Sequence, residues 1–255
     1  GTETSNIKVT NIDAYGFLRG NVAGTGAVAE YTTIDNQLNG EYSLNFNKKF
    51  GDFNVVAMFG GSATRSHYNR DGISGDQLLI PFYHVITNAG QLYTNVGNSN
   101  SGINSLYGSA ELSYKDIVYL TATGRNDWFS TLAPANNSIF YPSVGLSYLL
   151  SNQIKLPEWW SFAKIRASYA EVGGGSSSYA TKIGYSFDAT GYMSTPLLGL
   201  PGSINNPNLQ PYETREYEVG FDFRFFQNRI GIDYAYYDKK TTNDIVGVTL
   251  PQTSG

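Results

Sequence analysis

The chain of 255 residues contains no cysteine, which removes disulfides and thiolate metal sites from consideration. Histidine is nearly absent as well: His67 and His84 are the only two, and neither has a carboxylate at ligand spacing for zinc. No apolar run comes near the roughly 18 residues of a membrane-crossing helix. That lack excludes helical spans alone, because a membrane barrel needs only one apolar face on each strand. A basic excess is also missing. The 17 Lys and Arg are outnumbered by 21 Asp and Glu, for a net charge of −4, without the basic stripe of a nucleic-acid binder. No serine occupies a nucleophile elbow. No signal sequence opens the chain at Gly1, so it reads as a mature product or an internal piece of something longer.

What the chain has in quantity is 20 Tyr, 14 Phe and 28 Gly, a weighting that suits an all-β protein. The stretch "REYEVGFDFRFFQNRIGIDYAYYDKK" at 215–240 shows the pattern most clearly. Tyr217, Val219, Phe221, Phe223 and Phe225 alternate with Glu216, Glu218, Gly220, Asp222 and Arg224. After Gln227-Asn228 the alternation resumes with Ile230, Ile232, Tyr234 and Tyr236. The same period of two recurs at 41–50, 53–64, 105–114, 117–125, 141–150 and 162–171. A further strand is expected near 27–33, and the residues before it carry no readable pattern.

The connections alternate strictly between short and long. "KKFGDF", "YKD" and "FQN" are tight turns, and 151–161 is intermediate, while 65–104, 126–140 and 173–214 read as long loops. Compact soluble domains rarely hold loops beyond about 12–15 residues, whereas outer-membrane barrels pair short periplasmic turns with long outer loops. Alternation by itself reads the same for a soluble barrel or sandwich with its apolar face inward. Three features favour the inverted arrangement. The strands run to about 10 residues, the length that crosses a bilayer at a tilt. Charges stand in mid-strand, where a watery lumen would hydrate them. Aromatics also gather in two groups, as in the girdles of membrane barrels: Tyr114, Trp159, Trp160, Phe225 and Phe226 by the short turns, and Tyr217, Tyr234 and Tyr236 toward the long-loop ends. On this reading Val219, Phe221, Phe223, Ile230 and Ile232 face lipid. Lys164, Arg166, Glu216, Glu218, Asp222 and Arg224 face the wet interior.

Several local patterns are weighed against plainer explanations. "GTGAVA" at 24–29 matches part of a dinucleotide fingerprint but lacks the strand–turn–helix context, so it reads as a loop. "NRDGISGD" at 69–76 places Asp71 and Asp76 in a glycine-rich loop, a weak calcium candidate without the full ligand spacing. Glu216 and Glu218 share one face, but glycosidase carboxylates act across a substrate from facing positions; hydration in a lumen accounts for both. "GRNDW" at 124–128 puts Arg125 and Asp127 where a strand leaves for a long loop, with pairing to neighbouring strands as the plainer role. Tyr68, Phe82, Tyr83, Tyr93 and Trp128 are aromatic candidates for stacking on sugar rings or peptide side chains, or for packing loops together.

Four segments carry a family resemblance: "LTATGRNDWFSTL" (120–132), "YPSVGLSYLLS" (141–151), "IRASYAEVGG" (165–174) and "NPNLQPYETREYEVGFDFRFFQNRIGIDYAYYDKKTTNDIV" (206–246). Together they resemble the later barrel of SusC/RagA-like TonB-dependent outer-membrane transporters. The chain departs from the family pattern at Gln210, where Lys is usual, and at Tyr212, which precedes Glu213. The resemblance implies an antiparallel transmembrane barrel of 22 strands, of which this chain supplies about 8–10, and it places Arg125 and Asp127 near the outer mouth. It further implies a plug and TonB box that are not among these residues, a SusD-like surface lipoprotein and a TonB–ExbB–ExbD complex as partners. A glycan or peptide is the implied cargo, a Gram-negative outer membrane of Bacteroidetes type the location, and neither cofactor nor catalytic residue is called for. The alternatives carried beside it are a complete small outer-membrane barrel with a structural or adhesive role and a soluble carbohydrate-binding β domain.

Overall fold

The computed structural model describes residues 2–13, 26–192, 195–199, 201 and 203–247. In chain order its strands are β1 (Thr2–Asp13), β2 (Ala27–Phe50), β3 (Phe53–Leu78), β4 (Ala89–Thr94), β5 (Gly97–Tyr114), β6 (Val118–Phe129), β7 (Ser138–Leu149), β8 (Trp160–Gly174), β9 (Ser186–Tyr192), β10 (Thr195–Gly199), β11 (Tyr212–Phe225) and β12 (Ile230–Thr242). Two compact units are built from this order. One takes Gly1–Gly40 with Thr64–Gly102, the other Glu41–Ala63 with Ile103–Gly255. β2, β3 and β5 each contribute residues to both.

The larger unit is a sheet in the order β2-β3-β5-β6-β7-β8-β11-β12. Each strand lies beside its neighbour in sequence apart from β4, which lies off this path against β3, and the β9–β10 hairpin, which pairs only with itself among the described residues. The register sets one continuous apolar face. Val219 stands opposite Ala167 of β8 and Tyr236 of β12, and Phe221 opposite Ile165 and Tyr234. Ala167 meets Leu146 of β7, Leu146 meets Leu120 of β6, and Leu120 meets Leu112 of β5. Side chains alternate along a strand, so Thr121, Ser147, Lys164, Arg166 and Asp222 line the opposite face. Among the described residues no layer covers the apolar side: Val219 is 57 % and Ile232 49 % exposed. A soluble sandwich would bury these residues. The sheet is open, since β12 pairs only with β11 among the described residues.

The short connections are built for hairpins. Lys115 and Asp116 both have positive φ, 50° and 55°, the conformation whose twist matches that of the flanking strands. Beside the β11–β12 turn, Trp159 stacks on Trp160 and on Phe225 with centroids 6.2 and 5.9 Å apart. Tyr114 packs on Phe53 at 4.7 Å next to the β5–β6 turn. The second aromatic group differs from expectation. Tyr217, Tyr234 and Tyr236 stand near the middle of their strands, because the β11–β12 ladder continues beyond them to Glu213 and Thr242.

In the smaller unit β1 pairs with the first part of β2, from Thr2↔Leu38 to Asp13↔Ala27. β4 pairs with the end of β3, from Ile73↔Thr94 to Leu78↔Ala89. The loop between them is closed by buried Asn88. Its Oδ1 accepts from Ile80 N–H at 2.9 Å, and its Nδ2 donates to the carbonyls of Ile80 and Tyr83 at 2.8 and 2.7 Å.

This unit corrects the expected loops. Residues 65–104 are largely strand: β3 runs on to Leu78, β4 follows, and β5 begins at Gly97. The strand expected at 27–33 is the opening of β2, not a separate element, and β1 precedes it. "NRDGISGD" is strand within β3, so the glycine-rich loop expected around Asp71 and Asp76 does not form. Along 65–77 and 97–104 no sustained apolar alternation marks a strand, yet backbone pairing needs no apolar side chain. The 126–140 loop contracts to 130–137, and 173–214 contains the β9–β10 hairpin. Gly24 and Thr25 of "GTGAVA" lie outside the described residues; Ala27–Ala29 open β2.

Candidate functional site

The polar face of the larger unit carries two clusters. The first grows from "GRNDW". Arg125 and Asp127 are two residues apart on β6 and so share a face, and Arg125 Nε donates to Asp127 Oδ1 at 2.8 Å. Arg125 Nη2 donates to Ser105 Oγ on β5 at 2.8 Å. The other oxygen of Asp127 accepts the phenolic hydrogen of Tyr141 on β7. The guanidinium also lies 5.6 Å from the Tyr107 ring centroid, and the Tyr107 hydroxyl donates to Glu41 on β2. Ser105, Asp127 and Tyr141 are buried. The carboxylate of Asp127 is therefore desolvated but held by two charge-assisted or phenolic donors, the condition under which a buried charge is tolerated.

The second cluster spans β8, β11 and β12. Arg166 Nε pairs with Glu218 Oε1 at 3.1 Å, and its Nη2 pairs with Asp233 Oδ1 at 2.9 Å. Asp222 stands opposite Lys164 on one side and Asp233 on the other. Arg224 grips Asp222 at 2.9 Å while its guanidinium lies 5.0 Å from the Phe162 centroid. Two like charges face one another at Asp222 and Asp233, an arrangement that is destabilising unless cations intervene. Here one arginine attends each.

The other expected residues fall as follows. Glu216 faces Lys239 of β12 and Ala170 of β8 in register, so the two glutamates do not converge on a common point: Glu218 belongs to Arg166. Ile230 and Ile232 share the apolar face with Val219. Phe221 and Phe223 are half-buried there by stacking on each other at 4.6 Å. Tyr68, Tyr93 and Trp128, expected in loops, lie in β3, β4 and β6, for the same reason that the loops shrank. Tyr93 donates to Gln91 Oε1 at 2.7 Å. Phe82 and Tyr83 do sit in the β3–β4 loop and are exposed. Asp71 accepts from Asn69 Nδ2 at 2.6 Å, and Asp76 lies 3.3 Å from the Tyr93 hydroxyl. Five residues apart on a strand, the two aspartates point to opposite faces. Among the described residues no three His, Cys, Asp or Glu gather as a metal set. In the β5–β6 turn the Lys115 ammonium is held above the ordinary lysine range, by its hydrogen bond with Tyr114 first and by Asp52 second.

Sequence reasoning missed Glu41, Ser105, Tyr107, Tyr141 and Asp233. Tyr141 was read only as a strand residue, and its partner depends on the β6–β7 register, which no local pattern sets. Asp233 carried a usable signal: it is an acidic residue on the polar face of the last strand, with a cationic strand two positions away in the sheet.

A family model described as TonB dependent receptor-like, beta-barrel, matches residues 3–255. TonB-dependent receptor P26 of Formosa agariphila is 27% identical over 252 residues, covering 91% of this chain and 24% of that protein. TonB-dependent receptor P3 of the same organism is 25% identical over 264 aligned residues, covering 100% of this chain and 26% of that protein. The chain thus spans about a quarter of the length of these curated relatives. Among solved structures, the RagAB peptide transporter superposes with a TM-score of 0.78 at 17% identity, over 99% of this chain and 29% of that one. The ferripyoverdine receptor of the Pseudomonas aeruginosa outer membrane gives 0.51 at 16% identity, over 94% and 30%. These structural likenesses establish the fold, a partial antiparallel barrel.

Proposed function

The chain belongs to the TonB-dependent receptor-like β-barrel family, and from that membership we propose that it is part of the wall of a SusC-like importer in the outer membrane of a Gram-negative bacterium. The observation that carries this reading is the division of the open sheet into an uncovered apolar face and an ion-paired polar face. Lipid covers the first, where Val219, Phe221, Phe223, Ile230 and Ile232 stand. Water in the lumen hydrates the second, where Arg125, Asp127, Lys164, Arg166, Glu216, Glu218, Asp222 and Arg224 stand. Closure by the remaining strands of the same protein pairs the free edge of β12, as hydrocarbon demands of every backbone group.

In this reading the short turns are periplasmic and the β3–β4, β6–β7 and β8–β11 connections are extracellular. The cargo is a glycan or a peptide. Peptide is favoured by the likeness to a protein described as a peptide transporter, and exposed Phe82 and Tyr83 suit contact with either cargo or a SusD-like lipoprotein lid. Energy comes from a TonB–ExbB–ExbD complex acting on a plug carried elsewhere in the parent protein. Import breaks no covalent bond, and the clusters suit that role, since Asp127, Glu218, Asp222 and Asp233 are each engaged by an arginine and not poised as acid and base. Uptake of labelled oligopeptides and oligosaccharides by cells with and without the parent gene tests the proposal. Loss of uptake of one class on deletion, and again when the proton-motive force is collapsed, is expected. Unchanged uptake of both classes contradicts it.

A further inference from the structure

Two glycines on the polar face lie beneath a long side chain that passes over them. On β8, Arg166 stands directly opposite Gly220 of β11, yet its guanidinium reaches Asp233 on β12, the strand beyond, at 2.9 Å. A β-carbon on Gly220 would lie 3.1 Å from both Cζ and Nε of Arg166. On β5, the ring of Tyr107 fills the space over Gly60 of β3, where a β-carbon would lie 2.8 Å from Cε2 and 3.0 Å from Cζ. The Tyr107 hydroxyl continues to Glu41 on β2, again the strand beyond. Neighbouring strands are about 4.8 Å apart, so a link to the second neighbour spans about 10 Å. A side chain covers that distance only by lying flat on the sheet, and it lies flat only where the intervening residue has no side chain.

We infer that Gly60 and Gly220 are passages for two clamps, Tyr107–Glu41 and Arg166–Asp233, each of which ties three consecutive strands together and holds their register. The need for such a device follows from the pattern of the sheet. A one-residue slip turns every apolar side chain to the wrong face and is strongly disfavoured. A two-residue slip leaves every face unchanged: Phe221 would merely exchange Tyr234 for Ile232 or Tyr236, all three of them apolar-face residues. The apolar face therefore discriminates poorly against that error. A clamp does discriminate, because two residues shift its acceptor along the strand by about 6.8 Å, beyond hydrogen-bond reach. The pairing of Asp222 opposite Asp233 makes the clamp more necessary, since a slip would separate these like charges, and only Arg224 and Arg166 offset them in the native register. Laid flat, these side chains also leave the space above the polar face open, a second consequence that rests on the reading of this face as a transport lumen; the register lock does not.

The test uses the full-length parent protein, purified from the outer membrane in detergent and unfolded in urea. Gly220→Ala is destabilising on two counts, since its β-carbon would also lie 2.7 Å from the Tyr234 carbonyl oxygen, so that variant alone does not decide the matter. The comparison that does is Asp233→Asn with and without Gly220→Ala. With Gly220 present, Asp233→Asn is expected to raise the unfolded fraction about threefold, the scale of one solvent-screened ion pair. In the Gly220→Ala background it is expected to add almost nothing, because the link is already broken. An equal loss in both backgrounds overturns the clamp. Tyr107→Phe with and without Gly60→Ala repeats the comparison toward the other end of the sheet. Register is read separately with cysteine pairs. Arg166→Gln is expected to increase crosslinking of Phe221→Cys with Ile232→Cys relative to Phe221→Cys with Tyr234→Cys. An unchanged ratio overturns the register role.

Discussion

Single side chains on this sheet are worth very different amounts according to face. Phe221→Arg, placed near the bilayer midplane, is predicted to cost about 2–4 kcal/mol. Glu218→Gln keeps an oxygen toward Arg166 in a part-exposed pair and is predicted to cost less than about 1 kcal/mol. Urea unfolding of the parent protein in lipid vesicles measures both, and equal costs would contradict the assignment of faces. Asp127→Ala removes a buried acceptor shared by Arg125 and Tyr141. It leaves two donors short of a partner, for a predicted loss of about 1–3 kcal/mol in the same assay, whereas Tyr141→Phe, which keeps the Arg125 pair, should cost less. Residue-level legibility was uneven for a physical reason. Arg125 and Asp127 are neighbours on one strand, so their pairing is visible in sequence at a spacing of two. Tyr141 and Asp233 join through register between strands, which depends on the whole ladder.

At the level of elements, a strand was visible in the sequence where apolar and polar residues alternate along it and invisible where they do not. β6, β7, β8, β11 and β12 announce themselves through Leu120, Leu146, Ile165, Phe221 and Ile232. The outer parts of β2, β3 and β5 do not, because Asn36, Ser66, His67 and Asn100 offer no alternation to detect. Their pairing is a matter of backbone hydrogen bonds, with side-chain links such as His67 Nδ1 to Asn100 Oδ1 at 2.5 Å added afterward. The β9–β10 hairpin pairs only with itself among the described residues, so it is dispensable for the wall. Replacing residues 183–204 by a short Gly-Ser linker is predicted to leave the heat-modifiable electrophoretic mobility of the folded barrel unchanged, since loop length changes closure entropy by only about 0.6 kcal/mol per doubling. Loss of the folded band would show that the hairpin supports the sheet.

For the molecule as a whole, the governing fact is an apolar sheet face and a strand edge that nothing among the described residues covers. An exposed edge and a contiguous apolar face are aggregation hazards in water. The 255-residue chain produced alone is therefore predicted to aggregate in aqueous buffer and to fold stably only with the rest of its parent. A soluble, monodisperse product without detergent, seen by light scattering, would contradict this. The central claim is the orientation of the two faces, and site-directed spectroscopy reads it most directly. Single cysteines at Val219, Ile232, Lys164 and Asp222 of the parent protein, labelled with a small fluorophore in lipid vesicles, are exposed in turn to a quencher on the lipid chains and to one dissolved in water. The account predicts that labels at Val219 and Ile232 are quenched from the lipid and those at Lys164 and Asp222 from the water. The reverse pattern, or equal quenching at all four, would contradict it.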